Sequence, residues 1–449
     1  ICLISYILAL FIVNDLSYTP IANWVDADIR LSQYKGLILL TALIAILTGC
    51  LAGLYPAIRS TSYAPALVLK GSFGLSPKGK KVRVALIGFQ YTVSIALIIV
   101  TLFMGLQNHF MTSSEQLGFN KDQVAIVNLT PEIYAKHKPQ YIQKLKDYPG
   151  IEDVAFSVYE LSKEDDMIDL EYARHEDKDV FFKVFYASEN FLSVMDIQVE
   201  EGRDFTREDL NKAQSDYIIN PAAERDFHLH PGDRFNDRTV LGVSKDFRFN
   251  SCRIASSPFV FALNNDIPNP KLVSYIRFNS KTNLQEAVAH VRETLKEIDP
   301  TFPFEISFYN TILNNLYQKE QTLGKLISLF GIMAILISIV GVFGLVLFET
   351  QYRRKEIGIR KINGATTGQI LLMFNKTYIR IVSVCFIISI PIAWMGTQQW
   401  LENFAYKTPL HLWVFIVAFL IILSVTIGTV TFRNWQAANE NPVNSVKSE

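Results

Sequence analysis

Arg353-Arg354-Lys355-Glu356-Ile357-Gly358-Ile359-Arg360-Lys361-Ile362-Asn363-Gly364-Ala365 follows on an apolar run, Leu326 to Phe348. A run of that length spans a bilayer. A basic, helix-like segment at the end of a span reads as cytoplasmic, because Lys and Arg concentrate on that side of a membrane. Its apolar positions, Ile357, Ile359 and Ile362, are too few to build a core. They suit a short helix that presses on another protein.

Working outward, five further apolar runs have the character of membrane spans: Ile1–Asn14, Gly36–Ile58, Val84–Leu106, Ile379–Met395 and Leu412–Thr431. The link 59–83 carries Arg59, Lys70, Lys78, Lys80, Lys81 and Arg83 and no acid. The link 349–376 is also net basic. The short links 15–35 and 397–410 are poorer in basic residues and richer in aromatics, among them Trp24, Trp400, Phe404 and Tyr406. Both basic links therefore read as cytoplasmic, and 107–323 falls outside the cytoplasm. Gly36–Gly53 aligns with Trp413–Val430, and the tails Pro65 to Lys70 and Pro442 to Lys447 then match. Such internal duplication is common in transporters.

The chain has 449 residues, 49% hydrophobic, with a formal net charge of zero. That is too apolar for a nucleic-acid binder and too charged for a pure membrane bundle. It begins at Ile1 inside an apolar run, which reads as a fragment of a longer protein. Cys2, Cys50 and Cys385 fall in apolar spans, so Cys252 has no disulfide partner within the polar middle.

That middle reads as mixed α and β. Val124–Leu129, Val154–Val158, Phe181–Tyr186, Val240–Val243 and Leu272–Phe278 have strand character, and Pro139–Leu145, Glu189–Val194 and Asn283–Ile298 helix character. Asn220-Pro221 and Pro231-Gly232-Asp233 mark turns. The run Thr311–Ile362 contains no proline. A continuous helix is expected from the middle domain through the membrane to the basic segment. Thr311–Thr322 would extend the span outward by roughly 18 Å at 1.5 Å per residue. With an opposing extension, Gln107–Leu117, it would form a stalk, for which Leu313, Leu316 and Leu323 supply an apolar stripe.

Arg354-Lys355-Glu356-Ile357-Gly358-Ile359-Arg360-Lys361 with Gly364-Ala365 resembles the cytoplasmic segment of the FtsX-like, MacB-type permease subunits of ABC transporters. Glu201-Gly202-Arg203-Asp204-Phe205, Asn220-Pro221-Ala222-Ala223 and Gly242-Val243-Ser244-Lys245-Asp246-Phe247 resemble that family's extracytoplasmic core. The resemblance implies an α-helical membrane bundle with an inserted mixed α+β extracytoplasmic domain. It implies two last spans of a preceding unit at 1–58, a cytoplasmic linker at 59–83 and a span at 84–106. It further implies a MacB-like core domain with stalk helices at 107–323, and an FtsX-like domain at 324–449 with its coupling helix at 353–365. The implied role is a permease subunit that couples hydrolysis by a separate ATPase dimer to work outside the cytoplasm, by efflux of a drug or antimicrobial peptide. Release of lipoproteins, or FtsX-like regulation of cell-wall hydrolases, are the alternatives. Membrane lipid is an expected partner, a periplasmic adaptor or outer-membrane channel a further one, and nucleic acid is not expected. The implied inner-membrane protein is multi-pass.

No Gly-x-x-x-x-Gly-Lys-Ser/Thr loop occurs in these residues, and Gly364-Ala365-Thr366-Thr367-Gly368 lacks the lysine. That stretch reads instead as a helix stop at Gly364 and a capping box from Thr366 to Gln369. Glu356 and Arg360 have helical ion-pair spacing, suited to a solvated pair or to contact with the ATPase. Gly358 permits close approach of another backbone, or is a weak point of the helix. His228-Leu229-His230 offers two ligand types without a third nearby, and Glu164, Asp165 and Asp166 read as a solvated acidic loop. No catalytic, cofactor or metal site is expected.

Overall fold

The computed structural model describes residues 2–16, 34–61, 77–113, 117–162, 169–212, 214–248, 251–263 and 272–438. Glu164–Asp166, most of the 15–35 link and both paired tails lie outside these residues. The chain divides into two compact units, Ile1–Gly105 with Glu320–Gln399 and Leu410–Glu449, and Leu106–Lys319 with Trp400–Pro409. In chain order α1 (Cys2–Leu16), α2 (Lys35–Thr61) and α3 (Pro77–Thr112) come first. Within the second unit lie α4 (Lys138–Lys146), α5 (Phe191–Met195), α6 (Pro221–Phe227), α7 (Leu284–Ile298) and α8 (Tyr309–Leu316). Then come α9 (Gln318–Tyr352), α10 (Arg354–Ile362), α11 (Thr367–Leu401) and α12 (Leu412–Ala438).

In the first unit α2, α3, α9, α11 and α12 are long and apolar enough to cross a membrane, while α1 is apolar but shorter. Tyr91, Ile95, Ile99 and Phe103 of α3 are buried with Val346 of α9, Val382 of α11, and Val414 and Ala418 of α12. Lipid tails are as apolar as leucine, so packing and interhelical hydrogen bonds hold such a bundle together. Thr426 Oγ1 donates to Tyr91 Oη at 2.9 Å, Ser94 and Ser338 hydroxyls meet at 3.0 Å, and Asn375 Nδ2 donates to Thr431 Oγ1 at 2.9 Å. The hairpin of α1 and α2 is tied by Tyr6 Oη donating to the Ile38 carbonyl at 2.7 Å.

The second unit is built on a mixed sheet. Its strands are β1 (Val124–Leu129), β2 (Ile151–Ser157), β3 (Asp169–His175), β4 (Lys178–Ala187), β5 (Val199–Gly202) and β6 (Tyr217–Ile219). They continue with β7 (Arg234–Phe235), β8 (Arg238–Ser244), β9 (Phe259–Leu263), β10 (Leu272–Phe278) and β11 (Ile306–Phe308). The order is β11-β1-β10-β2-β4-β9-β6-β8-β5, with β3 hairpinned onto β4 and β7 onto β8. Neighbours are antiparallel except β4 with β9 and β6 with β8. Strand side chains alternate between faces, and here both faces are buried. Ala125 and Val127 pack with Tyr141, Leu145, Val291 and Leu295 of α4 and α7. Val124 and Ile126 pack in a second cluster with Met111, Phe185, Leu313 and Phe404. Phe182, Val184, Tyr217 and Val260 join Ala223 and Phe227 of α6 in a third.

β1 and β10 have the bounds their sequence predicts, and β2, β4, β8, α4, α5 and α7 differ only at their ends. Asn220-Pro221 begins a helix rather than marking a turn. Asn220 Oδ1 accepts from the Ala223 amide at 2.9 Å and Pro221 takes the first turn, where a missing N–H costs nothing. The expected unbroken helix over Thr311–Ile362 is interrupted twice. At Tyr317 the backbone leaves helical geometry (φ −109, ψ 16). Its ring is fully buried, and its hydroxyl accepts from the Cys252 amide at 3.1 Å. Tertiary anchoring overrides helix propensity there. Leu313 and Leu316 accordingly pack into their own unit's core. The second break, at Arg353, opens α10.

The two glycine-bearing motifs of the core face each other, Gly202 pairing with Gly242 between β5 and β8. Gly202 has φ +78, and a Cβ there would lie 2.2 Å from the Leu241 carbonyl oxygen. One on Gly242 would meet the Glu201 carbonyl oxygen at 2.7 Å. Arg203, next in line, forks onto Asp209 with bonds of 2.7 and 2.9 Å. This guanidinium holds the Asp209 carboxyl well below the usual carboxylate range. Asp209 also closes a capping box on Thr206. The motif is a structural clasp at the end of the sheet.

Candidate coupling site

α10 is encoded almost entirely by local rules. Arg, Lys and Glu favour helix, and Arg360 Nη2 bonds Glu356 Oε1 at 2.8 Å across one turn. The helix ends in a Schellman motif. Gly364, with φ +88, donates its N–H to the Lys361 carbonyl at 3.0 Å, and Ala365 donates to that of Arg360 at 2.9 Å. The next helix starts in the predicted capping box. Thr366 N–H donates to Gln369 Oε1 at 3.1 Å, and Gln369 N–H donates to Thr366 Oγ1 at 3.3 Å. Two helices are thereby joined by a stiff turn rather than by a loop.

The orientation of α10 differs from the expectation in one respect. Ile357 is only 5% exposed and Gly358 is buried, so both face the chain's own interior. The surface of α10 is instead carried by Ile359 at 56% exposure and Ile362 at 66%, three residues apart on one side, with Arg360 and Gly364 exposed nearby. Ala365 and Lys361 are half-buried. The side chains of Arg354 and Lys355 lie outside the described residues.

The base of α10 is tied to two spans. Glu349 of α9 is buried and accepts from Tyr378 Oη of α11 at 3.2 Å. Arg353 reaches Glu349 at 3.8 Å and Glu356 at 3.9 Å, and lies 5.8 Å over the Phe374 ring. Thr350 Oγ1 donates to Asn434 Oδ1 of α12 at 2.8 Å. Side-chain contacts thus join the base of α10 to the ends of α9 and α11.

The second unit holds residues whose role the sequence does not announce. Trp400–Pro409, the link between α11 and α12, belongs to the α/β unit. Phe404 is buried in its core, with Trp400 and Tyr406 against it. Buried Gln107 donates to the Tyr406 carbonyl at 3.0 Å and accepts from the Thr408 amide at 2.8 Å. The Arg248 guanidinium stacks 4.1 Å over the Tyr406 ring, and the Ser256 amide donates to Tyr406 Oη at 3.1 Å. The only hint is aromatic richness in a short link, which fits a membrane-interface belt equally well.

His228 and His230 do not converge on one ligand. His228 ends α6 in the left-handed region. The side chain of His230 lies near Glu224 and Glu201 instead, the three polar ends within 4.8 Å of one another. Such exposed groupings are common without an ion, and no metal role is assigned.

Residues 328–442 match the model of the FtsX-like permease C-terminal family. Over 212 residues the chain is 25% identical to the macrolide export ATP-binding/permease protein MacB of Aggregatibacter actinomycetemcomitans, covering 44% of this chain and 32% of that protein. Over 223 residues it is 25% identical to the protein of the same name from Neisseria gonorrhoeae, covering 46% and 34%. The matches thus span about a third of these relatives' length. Among solved structures the periplasmic region of MacB from Actinobacillus actinomycetemcomitans aligns at 15% identity with a TM-score of 0.33, over 44% of this chain and 94% of that one. The extracellular domain of the noncanonic ABC-type transporter YknZ from Gram-positive bacteria aligns at 16% identity and 0.31, over 41% and 98%.

Proposed function

We propose that this chain, whose residues 328–442 match the FtsX-like permease C-terminal family, is a multi-pass inner-membrane permease of the MacB type with its α/β unit in the periplasm, and that it turns the work of a separate ABC ATPase into movement of that unit. The observation that carries this reading is α10. It is a short, locally capped helix with an exposed apolar pair, Ile359 and Ile362, fixed at its base to α9 and α11. A helix of this kind seats in a groove of a partner by its apolar anchors. Arg360 and Gly364 flank the anchors, and Glu356 holds Arg360 in place.

Displacement of α10 passes to α9 through Glu349 and Arg353, and to α11 through Tyr378. The chain passes between the bundle and the α/β unit at four points, near residues 105, 319, 399 and 409. Two of these belong to the Trp400–Pro409 link that Gln107, Arg248 and Phe404 bind into the α/β core. Work delivered to the spans is thereby delivered to the α/β unit as well. The cargo is proposed to be a drug-like molecule or antimicrobial peptide, since the relatives that match bear the name of macrolide exporters. The hydrolysis is assigned in this proposal to an ABC ATPase outside these 449 residues, which hold no P-loop.

Affinity purification of this chain from native membranes tests the reading. A P-loop ATPase is expected to co-purify in stoichiometric amount, and ATP turnover is expected to vanish when that chain is stripped away. Absence of any such ATPase, or turnover by the stripped chain, would overturn it.

A further inference from the structure

α3 and α11 lie side by side, Gly88 close enough to Cys385 that an added Cβ would sit 3.5 Å from its sulfur. Between them runs a groove of about 890 Å³, walled by residues such as Gly88, Ala96, Val384, Ile388 and Gly396. It extends from Val84 and Arg380 at one end to Val100 and Gly396 at the other. That is roughly 24 Å of helix at 1.5 Å per residue, most of a hydrocarbon core of about 30 Å.

The charge on these helices is one-sided. Neither α3 nor α11 contains an acidic residue. Their lysines and arginines all lie at the Val84–Arg380 end: Lys78, Lys80, Lys81 and Arg83 on α3, and Lys376 and Arg380 on α11. Lys376 and Arg380 are exposed, one turn apart. This end carries the basic links, so it is the cytoplasmic one. The groove is thus an apolar shaft with a cationic mouth at the level of the cytoplasmic headgroups. A partner helix would fill the shaft and leave the cations unmatched. An amphiphile with a negative head matches both.

We propose that this groove seats an anionic phospholipid of the cytoplasmic leaflet, its acyl chains along Gly88, Ala96 and Ile388 and its phosphate on Arg380 and Lys376. Guanidinium groups match phosphate geometry, and basic pockets between membrane helices on the cytoplasmic side bind anionic headgroups. The inference is independent of the coupling role of α10.

The test is native mass spectrometry of the purified chain in detergent with equal amounts of phosphatidylglycerol and phosphatidylcholine. Each basic residue near a headgroup contributes roughly fivefold in affinity. Wild type is therefore expected to retain phosphatidylglycerol over phosphatidylcholine by at least about tenfold. Arg380→Gln with Lys376→Gln should bring the two lipids close to parity, while Arg380→Lys keeps most of the preference. Ala96→Phe, which fills the shaft, should remove retention of both. Equal retention of the two lipids by wild type, or an unchanged preference in the double Gln variant, would overturn the proposal. So would an Ala96→Phe variant that loses a dimer rather than a lipid, which would assign the groove to a second copy.

Discussion

Ile359→Gln combined with Ile362→Gln is expected to abolish co-purification of the ATPase while leaving the chain inserted and folded. Both side chains are more than half exposed, so their removal opens no cavity in the chain. Glutamine is a good helix former, and α10 is held by its Schellman stop and by the Glu356–Arg360 pair, which the changes leave alone. Full burial of an isoleucine is worth about 1.5–3 kcal/mol. These two are already partly covered, so together they contribute about 3 kcal/mol, or roughly a hundredfold in affinity. The measurement is ATPase bound per chain across a titration. Binding at wild-type affinity would remove this face of α10 from the account. Gly358→Trp is a poorer probe, since Gly358 is buried and a large side chain there would disturb the chain itself.

Gly202→Val is expected to destabilise the α/β unit severely. Two costs coincide. A β-branched residue at φ +78 is strained, and its Cβ would overlap the Leu241 carbonyl oxygen. Backbone strain costs of order 1–3 kcal/mol and overpacking about as much, so the sum is about 4 kcal/mol. That is a large part of the roughly 5–15 kcal/mol that holds a domain folded. Gly232→Val serves as the reference. Gly232 also has positive φ, at +99, but nothing lies within 4 Å of its Cβ position, so only the strain remains. Thermal unfolding of the purified variants should place Gly202→Val well below Gly232→Val. Coincident melts would show that close approach of β5 and β8 is not what the glycine serves.

What was legible in the sequence is what the chain encodes locally. The spans are long apolar runs, and nothing in a soluble fold demands so many. The Gly364 stop and the Thr366–Gln369 box involve residues within a few positions of one another, so their geometry follows from residue type and spacing. β1 and β10 stood out because dense apolar runs end at turn residues. β6 has three residues, too few for a pattern, and β9, Phe259–Leu263, is buried on both faces and shows no alternation. The β3–β4 hairpin turns at Glu176 and Asp177, both with positive φ, without the glycine that usually marks such a turn. Tyr317 breaks a helix because of a partner far away in sequence, the Cys252 amide. The same applies to Trp400, Phe404 and Tyr406, whose partners lie elsewhere in the chain. The inward facing of Ile357 is likewise set by packing, while its helix is set by sequence.

The central claim is that motion at α10 reaches the α/β unit. Paired spin labels test it most directly, one at Asp177→Cys on the exposed turn of the β3–β4 hairpin and one at Met395→Cys on the exposed side of α11, with the native cysteines replaced. The distance between them is measured in the reconstituted complex with its ATPase, with and without ATP. The account predicts that ATP shifts the distance distribution in the otherwise native chain and leaves it unmoved when Ile359 and Ile362 are both glutamine. An unshifted distribution in the native chain, or an equal shift in the glutamine variant, would contradict it.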